Sequence, residues 1–371
     1  MRKYTGFLMA AAAAVALSAA TARAQDLVVA LAGPITGGDA AFGEQMKRGA
    51  DMAVKNINAA GGILGKKLKL ELGDDQCEPK QALPVANSFV QKKVIFVAGH
   101  YCSGVSIPAS AVYAENNILQ ITPASTNPRL TDEAKAKGWT NVFRTCGRDD
   151  IQGVVAGKYL AEKFKGKKIA ILHDKTPYGQ GIAEETRKNM NAAGQKEVIW
   201  DSFSKGDKDF TAIVSKMKQA GIEVVYAGSY HTEVGLLVKQ SREQGFGAQF
   251  LSEDALVTDE FWKISGPAGE GLLMTFAPDP VASPAAKAVV DQFKAEKYNP
   301  EGYTLYTYAA FQVFAEAAKR ADSTDAKKVA AQIHGKAFDT VIGKLQYDNK
   351  GDVSNSEYVW YIWKNGKYFQ M

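Results

Sequence analysis

Short β-like runs alternate with amphipathic helical segments along most of the chain, and this alternation limits the possible folds more than any other feature of the sequence. The apolar run LVVALAG at 27–33 predicts a strand, and apolar residues spaced three to four apart over 42–58 predict the helix that follows it. Alternating strands and helices are typical of parallel sheets that are covered by helices on both faces. The sequence therefore predicts an α/β protein.

The alternation begins again near residue 150, which predicts two doubly wound lobes. We expect the chain to return to the first lobe after about residue 273 and its last strands to complete both lobes. Several crossings between the lobes would form a hinge beside a cleft, and open parallel sheets bind ligands at the carboxyl ends of their strands. The expected divisions are a signal segment at 1–24, a first lobe of 25–144 with 274–352, and a second lobe of 145–273 with 353–371.

The first 24 residues have the features of a secretory signal peptide. Arg2 and Lys3 form a positive n-region, and the apolar stretch at 6–20 is too short to span a bilayer comfortably. Residues 22–24, Ala-Arg-Ala, form a small-x-small cleavage site, and no cysteine follows it that could carry a lipid anchor. We therefore expect cleavage before Gln25 and export of the mature chain, rather than an uncleaved membrane anchor.

Composition places the chain among globular proteins and argues against two classes of partner. Hydrophobic residues make up 46% of the chain and charged residues 23%, which argues against disorder. The 45 basic and 40 acidic residues are scattered rather than grouped in blocks. The sequence therefore indicates neither a nucleic-acid partner nor an anionic membrane surface. No segment after the signal is apolar enough to be embedded in a membrane.

Three cysteines, Cys77, Cys102 and Cys146, allow three different pairings. In an oxidising compartment the simplest assignment is one disulfide and one free thiol. Cys77 and Cys102 each follow an apolar run and lie in a strand-end loop. We therefore favour a Cys77–Cys102 disulfide and leave the role of Cys146 open.

The neighbouring His100 and Cys102 also raise the alternatives of a nucleophilic enzyme and a metal centre. A catalytic thiol needs a base that is held in place by a third group, and the sequence shows no such set. The other histidines have no paired spacing that would suit zinc. No G-x-S-x-G or G-x-G-x-x-G motif is present. We expect no catalytic residue, no metal and no cofactor.

Polar residues of the first lobe that suit an anion follow two predicted strands. Ser103 stands where a helix begins after the strand at 94–98, and Ser125 and Thr126 follow the strand at 118–121. Hydroxyl groups and the unpaired N–H groups at a helix start both favour negative charge. This side of the cleft is expected to hold a carboxylate.

The second lobe offers Tyr178, Tyr230 and Asp254 after three of its strands. A carboxylate and the negative faces of aromatic rings suit a cation. An anion site that faces a cation site is suited to a zwitterion, and the natural small zwitterion is an α-amino acid.

Eight motifs carry a resemblance to a known family through their order and spacing. They are the segment at 41–68 from AFGEQ to GILGKKL, DDQCEPKQA (74–82), GHYCSGVSIPAS (99–110), ITPASTNP (121–128), HDKTPYGQG (173–181), GDKDFTAIVSKMK (206–218), GSYHTE (228–233) and YTLYTYAA (303–310). In these motifs the chain resembles the periplasmic substrate-binding proteins of branched-chain amino acid ABC transporters, the leucine/isoleucine/valine type. The resemblance implies a type I periplasmic binding protein fold, with two Rossmann-like lobes joined by a three-stranded hinge.

The resemblance also implies roles for single residues. Ser103 and Thr126 would hold the ligand carboxylate, and the carbonyl of Ala124 would hold the ammonium together with an acid at 253–254. Tyr178 and Tyr230 would close the cleft, and Phe42 would form an aromatic wall for the ligand side chain. The full set of candidate ligand-binding residues is Phe42, Tyr101, Ser103, Ala124, Ser125, Thr126, Tyr178, Tyr230, Glu253 and Asp254.

Three departures from the family pattern leave the identity of the ligand open. Position 42 is Phe, where relatives often carry Tyr or Trp. Position 101 is Tyr, where leucine-binding members carry an aliphatic residue. Ungapped alignment places Asp254 rather than Glu253 at the ammonium site. Branched-chain, other neutral and γ-amino acids, and aromatic acids without an amine, all stay open.

The expected partners are a small amino acid and an ABC permease, and the expected state is a monomer. A sensory module that presents its ligand to a receptor is the alternative. Tyr303 and Tyr306 would either line the cleft or pack on their helix.

Overall fold

The computed structural model describes residues 25–371, so the predicted signal peptide lies outside the described residues. A five-stranded sheet forms the centre of the first lobe. Its strands are β1 (Leu27–Gly33), β2 (Leu68–Asp74), β3 (Phe96–Ala98), β4 (Leu119–Thr122) and β5 (Val142–Arg144). They lie in the order β2-β1-β3-β4-β5, and every pairing is parallel.

A seven-stranded sheet forms the centre of the second lobe. Its strands are β6 (Ile169–His173), β7 (Ile199–Ser202), β8 (Val224–Gly228), β9 (Gln249–Ser252), β10 (Leu273–Phe276), β13 (Val359–Lys364) and β14 (Lys367–Gln370). The order is β14-β13-β10-β9-β8-β6-β7, and only β13 and β14 run antiparallel to their neighbours. Both sheets thus confirm the predicted α/β class with parallel, doubly wound lobes.

Helices cover both sheets. Those of the first lobe are α1 (Ala40–Ala59), α2 (Ala82–Gln91), α3 (Ser103–Glu115), α4 (Arg129–Ala136), α10 (Lys287–Ala295), α11 (Thr304–Ala321) and α12 (Ala326–Ala331). Those of the second lobe are α5 (Asp149–Lys163), α6 (Pro177–Ala192), α7 (Thr211–Gln219), α8 (His231–Glu243) and α9 (Asp259–Ser265). Among the helices of residues 25–371, none combines the length and the apolar character that crossing a bilayer requires.

The late part of the chain differs from the expectation in two details. Strand β10 lies in the larger sheet, so this sheet extends three residues past the expected boundary at 273. The strands β11 (Ala337–Thr340) and β12 (Gly343–Gln346) pair only with each other, so they do not complete the first sheet as we expected. They form a hairpin that packs on α11.

The chain passes between the lobes three times: after β5, after β10 and before β13. The close packing of α1 on α11 depends on Gly49, because a Cβ at this position would collide with the carbonyl oxygen of Thr304. This contact holds the start of α11 beside the first lobe. The carboxyl ends of the strands in both sheets then face the space between the lobes.

Candidate functional site

A small cavity lies between the lobes at the carboxyl ends of the strands. Its volume is about 10 Å³, which is room for about one water molecule. Four tyrosines form most of its wall. The lining residues are Tyr101, Ser103, Ala124, Tyr178, Tyr230 and Tyr303. The structure therefore brings residues from both predicted halves of the site to one enclosed point.

The first lobe contributes the start of α3 and the loop after β4. Ser103 is the first residue of α3 and is 1% exposed, and its Oγ accepts a 3.3 Å hydrogen bond from the backbone N–H of Asn127. Thr126 is fully buried and is not among the residues that line the cavity, and its hydroxyl faces the carboxyl group of Asp149 without a hydrogen bond of acceptable geometry. A buried hydroxyl without a partner is costly unless it binds a ligand or a water molecule. The first lobe thus supplies the Ser103 hydroxyl and a helix start at the cavity wall.

Ser125 has a different place from the one expected. Its hydroxyl lies 2.6 Å from Oγ of Ser106 and donates toward the carbonyl oxygens of His100 and Tyr101, at 3.1 and 2.9 Å. These bonds occupy the hydroxyl, and Ser125 is not among the residues that line the cavity. The side chain joins the two strand-end loops instead of facing a ligand.

A disulfide joins Cys77 to Cys102, which confirms the predicted pairing, and Cys146 is buried and free. Cys102 therefore has no thiol in this structure. The imidazole of His100 is fully buried, with Nδ1 2.6 Å from the carboxylate of Asp75 and Nε2 2.8 Å from the hydroxyl of Tyr113. These contacts hold in place the loop that carries Tyr101 and Ser103.

Asp254 is the acid that meets the tyrosines of the cavity. Its Oδ1 accepts a 2.5 Å hydrogen bond from the hydroxyl of Tyr178, and its Oδ2 accepts one of 2.7 Å from the hydroxyl of Tyr303. Burial raises the pKa of Asp254 above its usual range, and the two phenol hydrogen bonds oppose that rise. A nearby ammonium group would favour the charged form further.

Glu253 points elsewhere, although it is equally buried. Its carboxylate accepts a 2.8 Å hydrogen bond from the backbone N–H of Ser229 and a 2.7 Å bond from the hydroxyl of Ser252. It therefore joins the ends of β8 and β9 and makes no hydrogen bond to a cavity-lining side chain. Glu253 is the last extended residue after β9, whereas Asp254 begins a short 3-10 helix over Asp254–Leu256, and this change in backbone conformation gives the two adjacent acids different surroundings.

The aromatic wall has two layers. Tyr101 lines the cavity, and Phe42 stacks on Tyr101 with ring centroids 4.6 Å apart and an angle of 15° between the planes. Phe42 itself is not among the lining residues. The structure thus places Phe42 as a support behind the ring of Tyr101, one layer further from a ligand than the resemblance implied.

Near the cavity, the sequence left the roles of Tyr303 and Tyr306 open and did not indicate Asp149. Tyr303 lines the cavity and bonds Asp254, whereas Tyr306 packs against Tyr303 with ring centroids 6.0 Å apart. Asp149 begins α5 and is fully buried, with both carboxyl oxygens lacking a hydrogen bond of acceptable geometry among the described residues. Burial and the nearby Asp254 raise the pKa of Asp149 well above its usual range. An acid at a helix start is common, so the sequence carried no distinctive signal for it.

A larger crevice of about 530 Å³ lies away from these residues. It runs between the strands β10, β13 and β14 and the segment at 297–305, and it is lined by none of the ten candidate residues. Most of its charged side chains, among them Asp279 and Lys367, are exposed to solvent, and Glu301 is half-buried. Size alone therefore does not identify the site, and the convergence of buried polar groups favours the small cavity.

Comparison with known proteins gives a consistent result. A family model described as "Periplasmic binding protein" matches residues 26–367. The chain is 50% identical over 342 residues to a Leu/Ile/Val-binding protein homolog of Brucella suis, covering 92% of this chain and 91% of that protein. It is 49% identical over 368 residues to an amino acid binding protein of Pseudomonas aeruginosa, covering 98% and 97%.

Solved structures agree in fold. A leucine binding protein from Thermotoga maritima has a TM-score of 0.85 and 28% identity, covering 93% of this chain and 97% of that one. The substrate binding protein LivJ from Streptococcus pneumoniae, in complex with isoleucine, has a TM-score of 0.83 and 27% identity, covering 93% and 99%. A solute binding protein from Rhodopseudomonas palustris in complex with benzoate has a TM-score of 0.82 at 22% identity, covering 93% and 95%, and so shares the fold.

Proposed function

The chain belongs to the periplasmic binding protein family, and on that premise we propose that it binds a small amino acid between its lobes and delivers it to an ABC permease. The observation that carries the proposal is Asp254, a buried carboxylate bonded to Tyr178 and Tyr303 at the edge of a cavity whose other side is the start of α3. The relatives described as binding leucine, isoleucine and valine support the same class of ligand.

The binding chemistry follows from the two sides of the cavity. The ligand carboxylate binds to Ser103, to Thr126 and to the N–H groups at the start of α3, because these groups favour negative charge. The ligand ammonium binds to Asp254 and to the carbonyl oxygen of Ala124. A zwitterion satisfies both sides at once.

Binding requires the lobes to open and close. The cavity of about 10 Å³ is smaller than any amino acid, so the ligand enters when the lobes separate and the tyrosine rings move apart. On closure, Tyr178 and Tyr230 reach the ligand from the second lobe, and the closed form is stabilised by the ligand that it contacts best. The three chain crossings serve as the hinge.

Tyr101 points to a small ligand. Its ring occupies the wall where a ligand side chain would lie, and Phe42 holds that ring in place. We therefore expect alanine or valine to fit more easily than leucine. A γ-amino acid is the second candidate, because it carries both charges and has no side chain that would meet Tyr101. A benzoate-like acid leaves Asp254 without a cation, which counts against it.

We propose further that the signal segment at 1–24 is cleaved, that the mature protein acts in the periplasm, and that it acts as a monomer. The two lobes are taken as 25–144 with 277–352 and 145–276 with 353–371, which moves one boundary to include β10 in the second lobe. The family membership supports a role as a binding protein rather than an enzyme.

A thermal-shift screen tests the function directly. The panel contains L-leucine, L-isoleucine, L-valine, L-alanine, γ-aminobutyrate and benzoate. Any ligand of the native state raises the melting temperature by mass action. We expect shifts with the amino acids and none with benzoate. A shift with benzoate alone, or with no member of the panel, contradicts the proposal.

A further inference from the structure

The lobes also meet outside the cavity, through an ion pair between Asp39 and Lys205. Asp39 precedes α1 in the first lobe, and Lys205 follows β7 in the second, with Nζ 2.6 Å from Oδ2 of Asp39. The side chains are 3% and 20% exposed, whereas those of the pair Lys55 and Glu296 within the first lobe are 64% and 44% exposed. Because little water reaches the carboxylate of Asp39, its attraction to Lys205 is stronger than that of an ordinary surface pair.

Capping of helix α1 does not explain the orientation of the Asp39 side chain. The residue stands at the N-cap position, where an aspartate usually accepts a hydrogen bond from the first turn of the helix. Its side chain makes no such bond and is turned toward the second lobe instead. The carboxylate is thus used between the lobes rather than within its own helix.

Lys205 connects the ion pair with the cavity. Its Nζ lies 5.0 Å from the centre of the ring of Tyr230, a distance at which a cation is attracted to an aromatic ring. Tyr230 lines the cavity. The position of the Tyr230 ring therefore depends on a cation that is itself held by Asp39 of the opposite lobe.

The residues after Tyr230 meet the same segment of the first lobe. The ring of His231 packs edge-on against Phe42 with centroids 5.2 Å apart, and the hydroxyl of Thr232 donates a 3.3 Å hydrogen bond to the carbonyl oxygen of Gly38. Nδ1 of His231 lies 3.8 Å from Oδ1 of Asp39. The segments 38–42 and 230–232 thus form one continuous contact between the lobes, with the ion pair at its edge.

We propose that Asp39 and Lys205 are positioning residues that set the affinity for the ligand without touching it. The ion pair holds the closed lobes together and keeps Tyr230 against the cavity. Loss of either charge shifts the population toward the open form, so the bound ligand leaves faster, while its rate of association changes little. The inference rests on the proposed function, because it requires closure around a ligand.

Three variants and one control test this inference. Lys205→Met removes the charge, keeps most of the aliphatic stem and lies in a loop, so it is the variant least able to disturb folding. Asp39→Asn and the double variant complete a mutant cycle. Lys55→Met is the matched control, since it removes an exposed lysine whose partner lies in the same lobe. The probes are L-leucine, L-valine and L-alanine, measured by calorimetry for Kd and by stopped-flow fluorescence for the two rate constants.

We expect Kd to rise at least tenfold in Lys205→Met, with most of the change in the dissociation rate. Asp39→Asn should raise Kd by a similar factor. The Kd of the double variant should not exceed that of the single variant with the higher Kd. The melting temperature of ligand-free Lys205→Met should stay within about 2 °C of the parent protein, and Lys55→Met should bind as the parent does. Parental affinity in Lys205→Met, or additive losses in the double variant, would overturn the inference. A parent protein that binds none of the probes contradicts the proposed function for these ligands instead.

Discussion

The hydroxyl of Tyr303 donates a 2.7 Å hydrogen bond to Oδ2 of Asp254, and the two residues belong to different lobes. Tyr303 precedes α11, which packs on α1 of the first lobe, while Asp254 follows β9 of the larger sheet. Asp254 also binds Tyr178 of its own lobe. One buried carboxylate therefore links lobe closure with the chemistry proposed for the ammonium group.

Asp254→Asn should weaken the binding of amino acids by about 2–4 kcal/mol, because the buried ammonium loses its charged partner. The change should appear in Kd by isothermal titration calorimetry. Glu253→Gln is the matched control, since that neighbouring acid bonds to Ser229 and Ser252 and makes no hydrogen bond to a cavity-lining side chain. It should change stability more than affinity. The assignment of the ammonium site is wrong if Glu253→Gln lowers affinity and Asp254→Asn does not.

Tyr101→Leu should change which ligands bind. Removal of the ring enlarges the cavity on the side where a ligand side chain lies. Binding of leucine and isoleucine should therefore improve relative to alanine by about four- to fifteenfold, which corresponds to one or two more buried methylene groups at about 0.8 kcal/mol each. Melting-temperature shifts across a series of amino acids measure this. Tyr303→Phe serves as the comparison, because it keeps a ring of nearly the same size. Equal ratios in Tyr101→Leu and the parent would show that Tyr101 does not limit ligand size.

Removal of the disulfide by the double change Cys77→Ala and Cys102→Ala should destabilise the protein. The chain-entropy model gives about 3 kcal/mol for a loop of this length, and urea unfolding measures the loss. The bond also clamps the loop before α3, so ligand affinity should fall as well. An unchanged unfolding midpoint would contradict this account of the bond.

Cys146 should be unreactive in the native protein. Burial raises the pKa of its thiol well above the usual range, so little thiolate forms at neutral pH. Iodoacetamide should modify Cys146 in denaturant and not in native buffer, and mass spectrometry without reduction should find Cys77 linked to Cys102. Rapid native labelling of Cys146 would contradict the prediction.

Glu233 should make stability depend on pH. Burial raises its pKa to about 7, so between about pH 4.5 and 7 the native state retains a proton that the unfolded state has released. The resulting stability is fully present below about pH 4.5 and is lost as the pH rises through 7. It amounts to at most about 3 kcal/mol.

Glu233→Gln should remove this part of the pH dependence. Denaturant unfolding of both proteins at pH 5 and pH 8 gives the comparison, and the other buried acids are common to both. The parent should lose more stability than the variant on going to pH 8. Equal losses in the two proteins would show that Glu233 has an ordinary pKa.

Local patterns predicted much of this protein correctly. The alternation of strands and helices was enough to predict the α/β class. Each element buries one apolar face, so its apolar residues recur at a regular spacing along the sequence. The positions of Ser103 and Tyr178 after strands placed them at the cleft for the same reason. The cysteine pairing followed from two strand-end loops, since strands β2 and β3 both flank β1 and end at the same edge of the sheet.

Only the tertiary structure decided which side chains face the cavity. Glu253 and Asp254 are adjacent and chemically alike, and the turn from an extended residue into a 3-10 helix separates them. Ser125 is turned into the scaffold, and Tyr303 reaches Asp254 across a sequence distance of 49 residues. The pairing of Asp39 with Lys205 likewise depends on how the two lobes close. The sequence by itself determined which groups lie near the cleft, because that depends on local periodicity. Which of these groups contact each other depends on how segments that are distant in sequence pack together. Such packing produces no periodic pattern in the sequence.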